Sequence, residues 1–395
     1  MPLQTADILI VGGGVVGSST AYFLTAHPGF HGRVVVVEKD PTYGEAATAR
    51  SAGGVRQQFS TPENIRMSQF GASFIKNVAE HLSLAGEKAQ LPFVEQGYLF
   101  LATPSGLPVL EQNHATQTAL GADIVMLDPP ALRRQFPWLH TDDLAGGAFG
   151  RRNEGWTDPY SLLQAFRRKA IAQGAVYIQD EAVALQREGD RIASVTLAKA
   201  GTIAVGAMVN SAGINAARVA GWAGFDLPVR PRKRFVYVFD CRDSAEIQKG
   251  PLLIDPNGVY FRPEGASFIG GVSPPEDQDP DCTDLEVEYG LFEDTVWPTL
   301  AQRVPAFEAI KLVRAWAGHY DYNTLDQNLI IGRGPGLANF YMANGLSGHG
   351  LQQSPAIGRA LGEMILDGAF KSIDLTRFGY ERVARNQPLA ELNVV

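Results

Sequence analysis

The feature that most constrains the fold is the run from Asp7 to Asp40, "DILIVGGGVVGSSTAYFLTAHPGFHGRVVVVEKD". An apolar run, a glycine turn, an apolar-faced helical stretch and a second apolar run ending at Glu38 spell a βαβ unit. Strands without polar alternation suit a parallel sheet covered on both faces, so a doubly wound sheet is expected here. Inside the turn, Gly12, Gly14 and Gly17 form G-x-G-x-x-G around Val15 and Val16. The first glycine permits the turn, the second lets a pyrophosphate approach the backbone, and the third lets helix and strand pack closely. The helix start offers unpaired N–H groups to phosphate oxygens. Glu38, followed by Lys39, stands where a carboxylate accepts hydrogen bonds from a ribose 2′-hydroxyl, which argues against a 2′-phosphate and so against NADP.

The remaining chain is too long for one core, so a second domain is expected. "STPENIRMSQFGASFIKNVAEHL" reads as one helix with Thr61 as cap and Pro62 in its first position. From Leu91 to Gly150 the pattern changes to short alternating strands and proline-rich turns. "TDPYSLLQAFRRKAIAQGAVYI" then predicts a helix capped by Asp158, started by Pro159 and ended near Gly174, feeding a strand. Alternating strands resume from Pro228 to Trp316, and "NLIIG" with "NFYMA" returns the chain to the first sheet. The expected class is α/β with an α+β second domain. Residues 1–90, 151–227 and 317–395 would form a Rossmann-like cofactor domain, and 91–150 with 228–316 a discontinuous antiparallel-sheet substrate domain.

Two further glycine-rich passes bear on the cofactor. "TARSAGG" follows the second strand, and "GLSGHGLQQSPAIG" carries four glycines from Gly345 to Gly358, three of them ahead of the helical stretch "PAIGRALGEMIL". The fingerprint alone leaves NAD and FAD open. A flavin running across the sheet needs close backbone contacts far along the chain, whereas a nicotinamide enzyme has no evident need of the second pass, so FAD is expected. Composition narrows the partners. The net charge of −8 is spread without a basic run, which excludes nucleic acid as an expected partner, and no apolar run is long enough to span a bilayer. Two cysteines, Cys241 and Cys282, make neither a disulfide scaffold nor a zinc site, so no metal is expected. With a strand beginning within ten residues of Met1, a cytoplasmic location is expected.

These segments, in this order, resemble the D-amino-acid-oxidase-like flavoproteins that include glycine oxidase, sarcosine oxidase and dimethylglycine dehydrogenase. The resemblance spans nearly the whole chain and is carried by "DILIVGGGVVGSSTAYFL", "TARSAGGVRQQFSTPENI", "GWTDPYSLLQAF", "VNSAGINA", "YFRPEG", "AWAGHYDYNTLDQNLIIG" and "GLSGHGLQQSPAIG". Within the family, "GGVRQQFSTPENI", "DYNTLDQN" and "SGHGLQQSPAIGRA" are similar to a branch linked to assembly of respiratory complex I and to bacterial oxidases of N-substituted glycines such as iminodiacetate. The resemblance implies FAD-dependent oxidation of a small amino-acid substrate at the carbon beside nitrogen. The alternative it implies is an assembly or binding factor for a respiratory complex with structural FAD.

Residue by residue, the resemblance implies that Thr48, Arg50, Ser51, Ala52 and Gly53 line the pyrophosphate-to-ring passage. Val183 would present backbone to adenine, and Ala212 and Gly213 would flank the ADP half. Gly345, Ser347, Gly348, His349, Gly350, Leu351 and Gln352 would form the loop beside the flavin ring. Arg56 aligns with the arginine that holds the substrate carboxylate. Tyr260 and Arg262, two apart on a strand, share a face. Arg262 therefore either adds a second cation, suited to a dicarboxylate, or braces the domain junction. His349 either holds substrate, shuttles a proton or bonds backbone. His319 falls where monomeric sarcosine oxidases carry a flavin-bonded cysteine; no cysteine lies nearby, so non-covalent FAD is expected over a histidyl link. The lysine that assists oxygen in those oxidases has no counterpart in "GASFIGGV", where Phe268 stands nearest. The acceptor is thus open between O2 and a quinone or electron carrier, and the oligomeric state is open too.

Overall fold

The computed structural model describes residues 4–392. Its first sheet grows from β1 (Thr5–Val11), α1 (Val15–Ala26) and β2 (Val34–Glu38). β1 pairs in parallel with β2 on one side and with Gly201–Asn210 on the other, and Val176–Gln179 extends the parallel set beyond β2. The meander strands Ala182–Glu188 and Arg191–Leu197 add an antiparallel wing, while Phe340–Asn344 and Ile330–Arg333 join at the carboxyl end of Gly201–Asn210. The apolar run in β1 divides between two cores: Ile8 and Ile10 pack with the helices on one face, Leu9 and Val11 with the meander side on the other. Period-two alternation buried on both faces is what an unbroken apolar strand implies.

The second sheet also has eight strands, drawn from both later segments. Ile310–Asn323 and Val229–Cys241 form a long antiparallel pair, followed by Ser267–Gly271, Tyr260–Glu264 and Leu252–Ile254. Tyr98–Ala102, Gly146–Gly150 and Ile124–Leu127 complete it, with Tyr98–Ala102 parallel to Leu252–Ile254. One face carries a core in which Phe239, Phe261 and Phe268 surround Phe307, ring centroids 5.0–5.2 Å from it. The long pair runs from Cys241 opposite Ile310 to Val229 opposite Asn323, so this sheet continues past the boundary at 316 expected from the sequence. Val229 packs into the core of the first sheet, making the pair a strut between the two.

Two local expectations change. The helix starting at Pro62 ends at Lys76, and Val78–Leu82 forms a separate turn after Asn77. Thr61 makes no side-chain cap; the N–H groups of Ser60 and Thr61 go instead to the Glu391 carboxylate, at 2.6 and 3.1 Å. Asp158 does cap Pro159–Ala172, accepting from the Ser161 N–H. Among the described residues no helix is long and apolar enough to cross a membrane.

Candidate functional site

Between the two sheets runs a cavity of about 370 Å³, lined from both. That is within the size range of small-molecule sites, roughly 300–1,000 Å³.

At its first end the fingerprint glycines do three different jobs. Gly12 adopts φ +98°, and a Cβ there would lie 2.3 Å from the Ser211 carbonyl oxygen. A Cβ on Gly17 would lie 1.9 Å from the Gly12 carbonyl oxygen, so that glycine serves helix packing. A Cβ on Gly14 would meet only Thr48 Oγ1, at 3.5 Å; the space kept open there belongs to the cavity. Val15, Val16, Glu38, Lys39, Ala212 and Gly213 line the same end. Glu38 Oε2 accepts from Gly13 N at 2.8 Å and Oε1 from Asp40 N at 2.9 Å, which fixes the carboxylate at the cavity edge. Val183 lies outside the lining with its side chain exposed, and its neighbour Ala182 lines the cavity. The strand's alternation, with a register shift between Ala182 and Ala184, turns Val183 away.

Along the middle, Thr48, Arg50, Ser51 and Ala52 line the cavity. Arg50 is anchored by Nη1 to the Ala317 carbonyl at 2.9 Å, and Trp316 Nε1 returns a bond to the Arg50 carbonyl at 2.9 Å. Gly53 stands behind the wall, where a Cβ would lie 2.3 Å from the Thr157 carbonyl oxygen. His319 faces the cavity from the long strand pair, and burial, then Lys39, push its pKa down.

The late glycine loop closes the other side. Gly348, His349, Gly350, Leu351 and Gln352 line the cavity, whereas Gly345 and Ser347 support the loop from behind. Ser347 Oγ accepts from Asn323 N at 3.0 Å, and the buried Asp321 carboxylate accepts from Leu346 N at 3.0 Å. The following helix begins at Gly350, ahead of Pro355 where the sequence reading placed its start. Proline withholds the N–H that Leu351's carbonyl needs. Ser354 Oγ supplies the missing donor at 2.8 Å, so the helix keeps a first turn that lines the cavity.

The far wall joins Arg56, Tyr98, Tyr260, Arg234, Tyr320 and His349. Arg56 is 4% exposed; its guanidinium lies 4.0 Å from the Phe59 ring centroid and donates to the Gln58 carbonyl. Its backbone N–H donates to Gln352 Oε1 at 2.5 Å, tying this segment to the helix that begins at Gly350. Burial pushes the Tyr98 and Tyr320 phenols up to about 12 and raises Tyr260 as well, so all three are neutral hydroxyls at ordinary pH. Burial first, and the Arg56 charge second, push His349 down to the neutral imidazole. Its Nε2 has no hydrogen-bond partner among the described residues.

Arg262 takes the second of its two expected roles, bracing the junction, and not that of a catalytic-site cation. It does not line the cavity: Nε donates to the Ala52 carbonyl at 2.9 Å, Nη1 to the Pro263 carbonyl at 2.8 Å, and Glu264 pairs with it. One pleat beyond Tyr260, it meets the backbone of the first segment and braces the junction. Arg234 and Tyr98 have no local motif around them, and Tyr320 lies in "AWAGHYDYNTLDQNLIIG", where only His319 is singled out. Arg234 itself is committed to Asp279 through both terminal nitrogens, at 3.0 and 2.8 Å.

A cavity starting at a glycine turn that spares room for phosphate and ending at a wall of phenols and one buried arginine defines a dinucleotide-dependent oxidoreductase. The chain belongs to the FAD dependent oxidoreductase family, whose profile matches residues 7–364, and FAD is its cofactor. It is 43% identical to FAD-dependent oxidoreductase domain-containing protein 1 of Xenopus laevis over 100% of this chain and 86% of that one. Mitochondrial sarcosine dehydrogenase of Mus musculus is 26% identical over 95% of this chain and 42% of its own length. Among solved structures, L-proline dehydrogenase from P. horikoshii superposes with a TM-score of 0.86 at 25% identity, covering 98% of this chain and 100% of that one. Neither Cys241 nor Cys282 lines the cavity, so no thiol is placed to bond the flavin.

Proposed function

We propose that the protein oxidises an N-substituted glycine, of the sarcosine, dimethylglycine or iminodiacetate type, at the carbon beside nitrogen. The observation that carries this reading is Arg56, buried at the end of the cavity among neutral phenols. In so dry a setting a guanidinium pairs strongly with a carboxylate and fixes its angle. Tyr98, Tyr260 and Tyr320 donate or accept around a polar substrate without adding charge, and neutral His349 can accept a hydrogen bond at Nε2. Gln352 holds the Arg56 backbone, so the carboxylate grip is tied to the start of the helix that begins at Gly350. When bound, FAD supplies the hydride acceptor, and the oxidised substrate is an imine that water hydrolyses to amine and carbonyl. Sarcosine dehydrogenase and L-proline dehydrogenase bear names of secondary amino acids, which supports this class.

The test is anaerobic mixing of the purified holoprotein with sarcosine, dimethylglycine, iminodiacetate, proline and glycine. Bleaching of the flavin band by an N-substituted glycine, faster than by glycine, is expected. No bleaching by any of them would overturn the reading, and adding air afterwards separates an oxidase from a dehydrogenase by the rate of recolouring.

A further inference from the structure

A buried carboxylate outside the cavity lining is aimed at the segment that carries Arg56. Glu154 is fully buried. Its Oε1 accepts from the Gln57 backbone N–H, and its Oε2 accepts from Gln58 Nε2 at 2.8 Å. Gln58 Nε2 also donates to the Tyr98 carbonyl at 3.0 Å, and the Gln58 carbonyl receives the Arg56 guanidinium. Glu154 therefore holds, through two bonds to neighbouring residues, the carbonyl on which Arg56 rests and the strand that presents Tyr98. The backbone makes room for it. A Cβ on Gly150 would sit 1.8 Å from Glu154 Oε2, so the glycine opposite is required for the carboxylate to reach this position.

Irregular segments need such anchors. Residues 56–61 lie between the short strand Gly54–Val55 and the helix starting at Pro62, with few ladder bonds to fix them. Glu391 holds the far end at Ser60 and Thr61, and Glu154 the near end at Gln57 and Gln58. Two carboxylates from distant parts of the chain thus clamp the stretch whose first residue is Arg56. They differ in kind: burial raises Glu154 to about 7, whereas hydrogen bonds from Ser60 and Asn64 hold Glu391 below its ordinary value.

We propose that Glu154 is a positioning residue for carboxylate recognition, setting the Arg56 guanidinium through Gln57 and Gln58. The proposal rests on the reading of Arg56 as the carboxylate grip. Glu154 touches neither substrate nor cofactor. Its removal should weaken ligand binding only as long as Arg56 is present, because the effect passes through that side chain.

The experiment titrates the holoprotein with pyrrole-2-carboxylate, a carboxylate without an oxidisable amine carbon, and follows the flavin absorbance band. Glu154→Gln keeps the shape but offers one acceptor where two are needed, and should raise Kd by about 5- to 30-fold, the cost of leaving a buried donor unsatisfied. Gly150→Ala leaves Glu154 in the chain but displaces its carboxylate, and should reproduce the effect. FAD content should stay at one per chain in both variants. Arg56→Ala combined with Glu154→Gln should bind no worse than Arg56→Ala alone. Unchanged Kd in Glu154→Gln and Gly150→Ala, or additive losses in the double variant, would overturn the proposal. An unchanged Kd in Arg56→Ala would instead remove the underlying reading of the arginine, so the two failures are distinct.

Discussion

The two ends of the cavity are made of different material. At the fingerprint end, contact surface is backbone: a glycine at φ +98°, a helix start and a carboxylate that ends β2, all within one unit from Thr5 to Glu38. At the far end, contact surface is side chains: Arg56, Tyr98, Arg234, Tyr260, Tyr320 and His349, drawn from six separate segments, four of them strands of the second sheet. A common cofactor can be held by a local motif that tolerates little change. On the proposed function, substrate choice rests on side chains from separate segments rather than on one local motif.

This contrast makes substitutions at the two ends fail differently. The largest effect belongs to Gly14→Val, which should abolish FAD retention while leaving a folded chain, since its side chain meets open cavity rather than protein. Gly17→Val should instead lower the yield of folded protein, because its Cβ runs into the Gly12 carbonyl. Flavin absorbance per chain and circular dichroism read the two outcomes apart. A yellow Gly14→Val protein would show that the pyrophosphate lies elsewhere.

Next comes Arg56→Ala. FAD should stay bound, while kcat/KM for the best N-substituted glycine falls by about 10²- to 10³-fold, or ~2–4 kcal/mol for a lost charged pair. Arg56→Lys should recover part of it, keeping charge but losing the planar fork. Loss of flavin from Arg56→Ala would erase the division between the two ends.

A smaller effect is expected in the pH dependence of stability. Burial raises the Glu154 carboxyl from 4.5 to about 7 and the Asp321 carboxyl from 3.8 to about 6. The folded chain then holds protons that the unfolded chain has released, so stability contributed by these groups is lost as pH rises across that window. Glu154→Gln has no such proton to lose, and its Tm should fall less than the wild type's between pH 5 and about 7.5. Parallel Tm curves would contradict the burial argument. Smallest of all is substrate selectivity at Arg262. Because its guanidinium serves the Ala52 and Pro263 carbonyls, Arg262→Ala should affect sarcosine and iminodiacetate alike in steady-state kinetics. A loss confined to iminodiacetate would return this arginine to the pocket.

The same contrast explains what could be read from the sequence. Gly12, Gly14, Gly17 and Glu38 announce themselves because a local motif performs a local task, and the resemblance carried Arg56, Tyr260 and the late loop to the cavity wall. Val183 points its side chain to solvent beside Ala182, which lines the cavity. Arg262 shares a face with Tyr260 as expected, yet only the approach of Ala52 decides that it braces rather than binds. Tyr98, Arg234 and Glu154 gave no signal, because nothing local distinguishes a strand residue facing a cavity from one facing a core. Pro355 hid the true helix start, as the serine that relieves it acts through its side chain.

The most direct measurement is a crystal structure of the holoprotein with pyrrole-2-carboxylate. The account predicts FAD running from the Gly14 turn to the phenol wall, unbonded to His319, with the ligand carboxylate paired to Arg56. A carboxylate seated on Arg234 or Arg262, with Arg56 turned away, would contradict it.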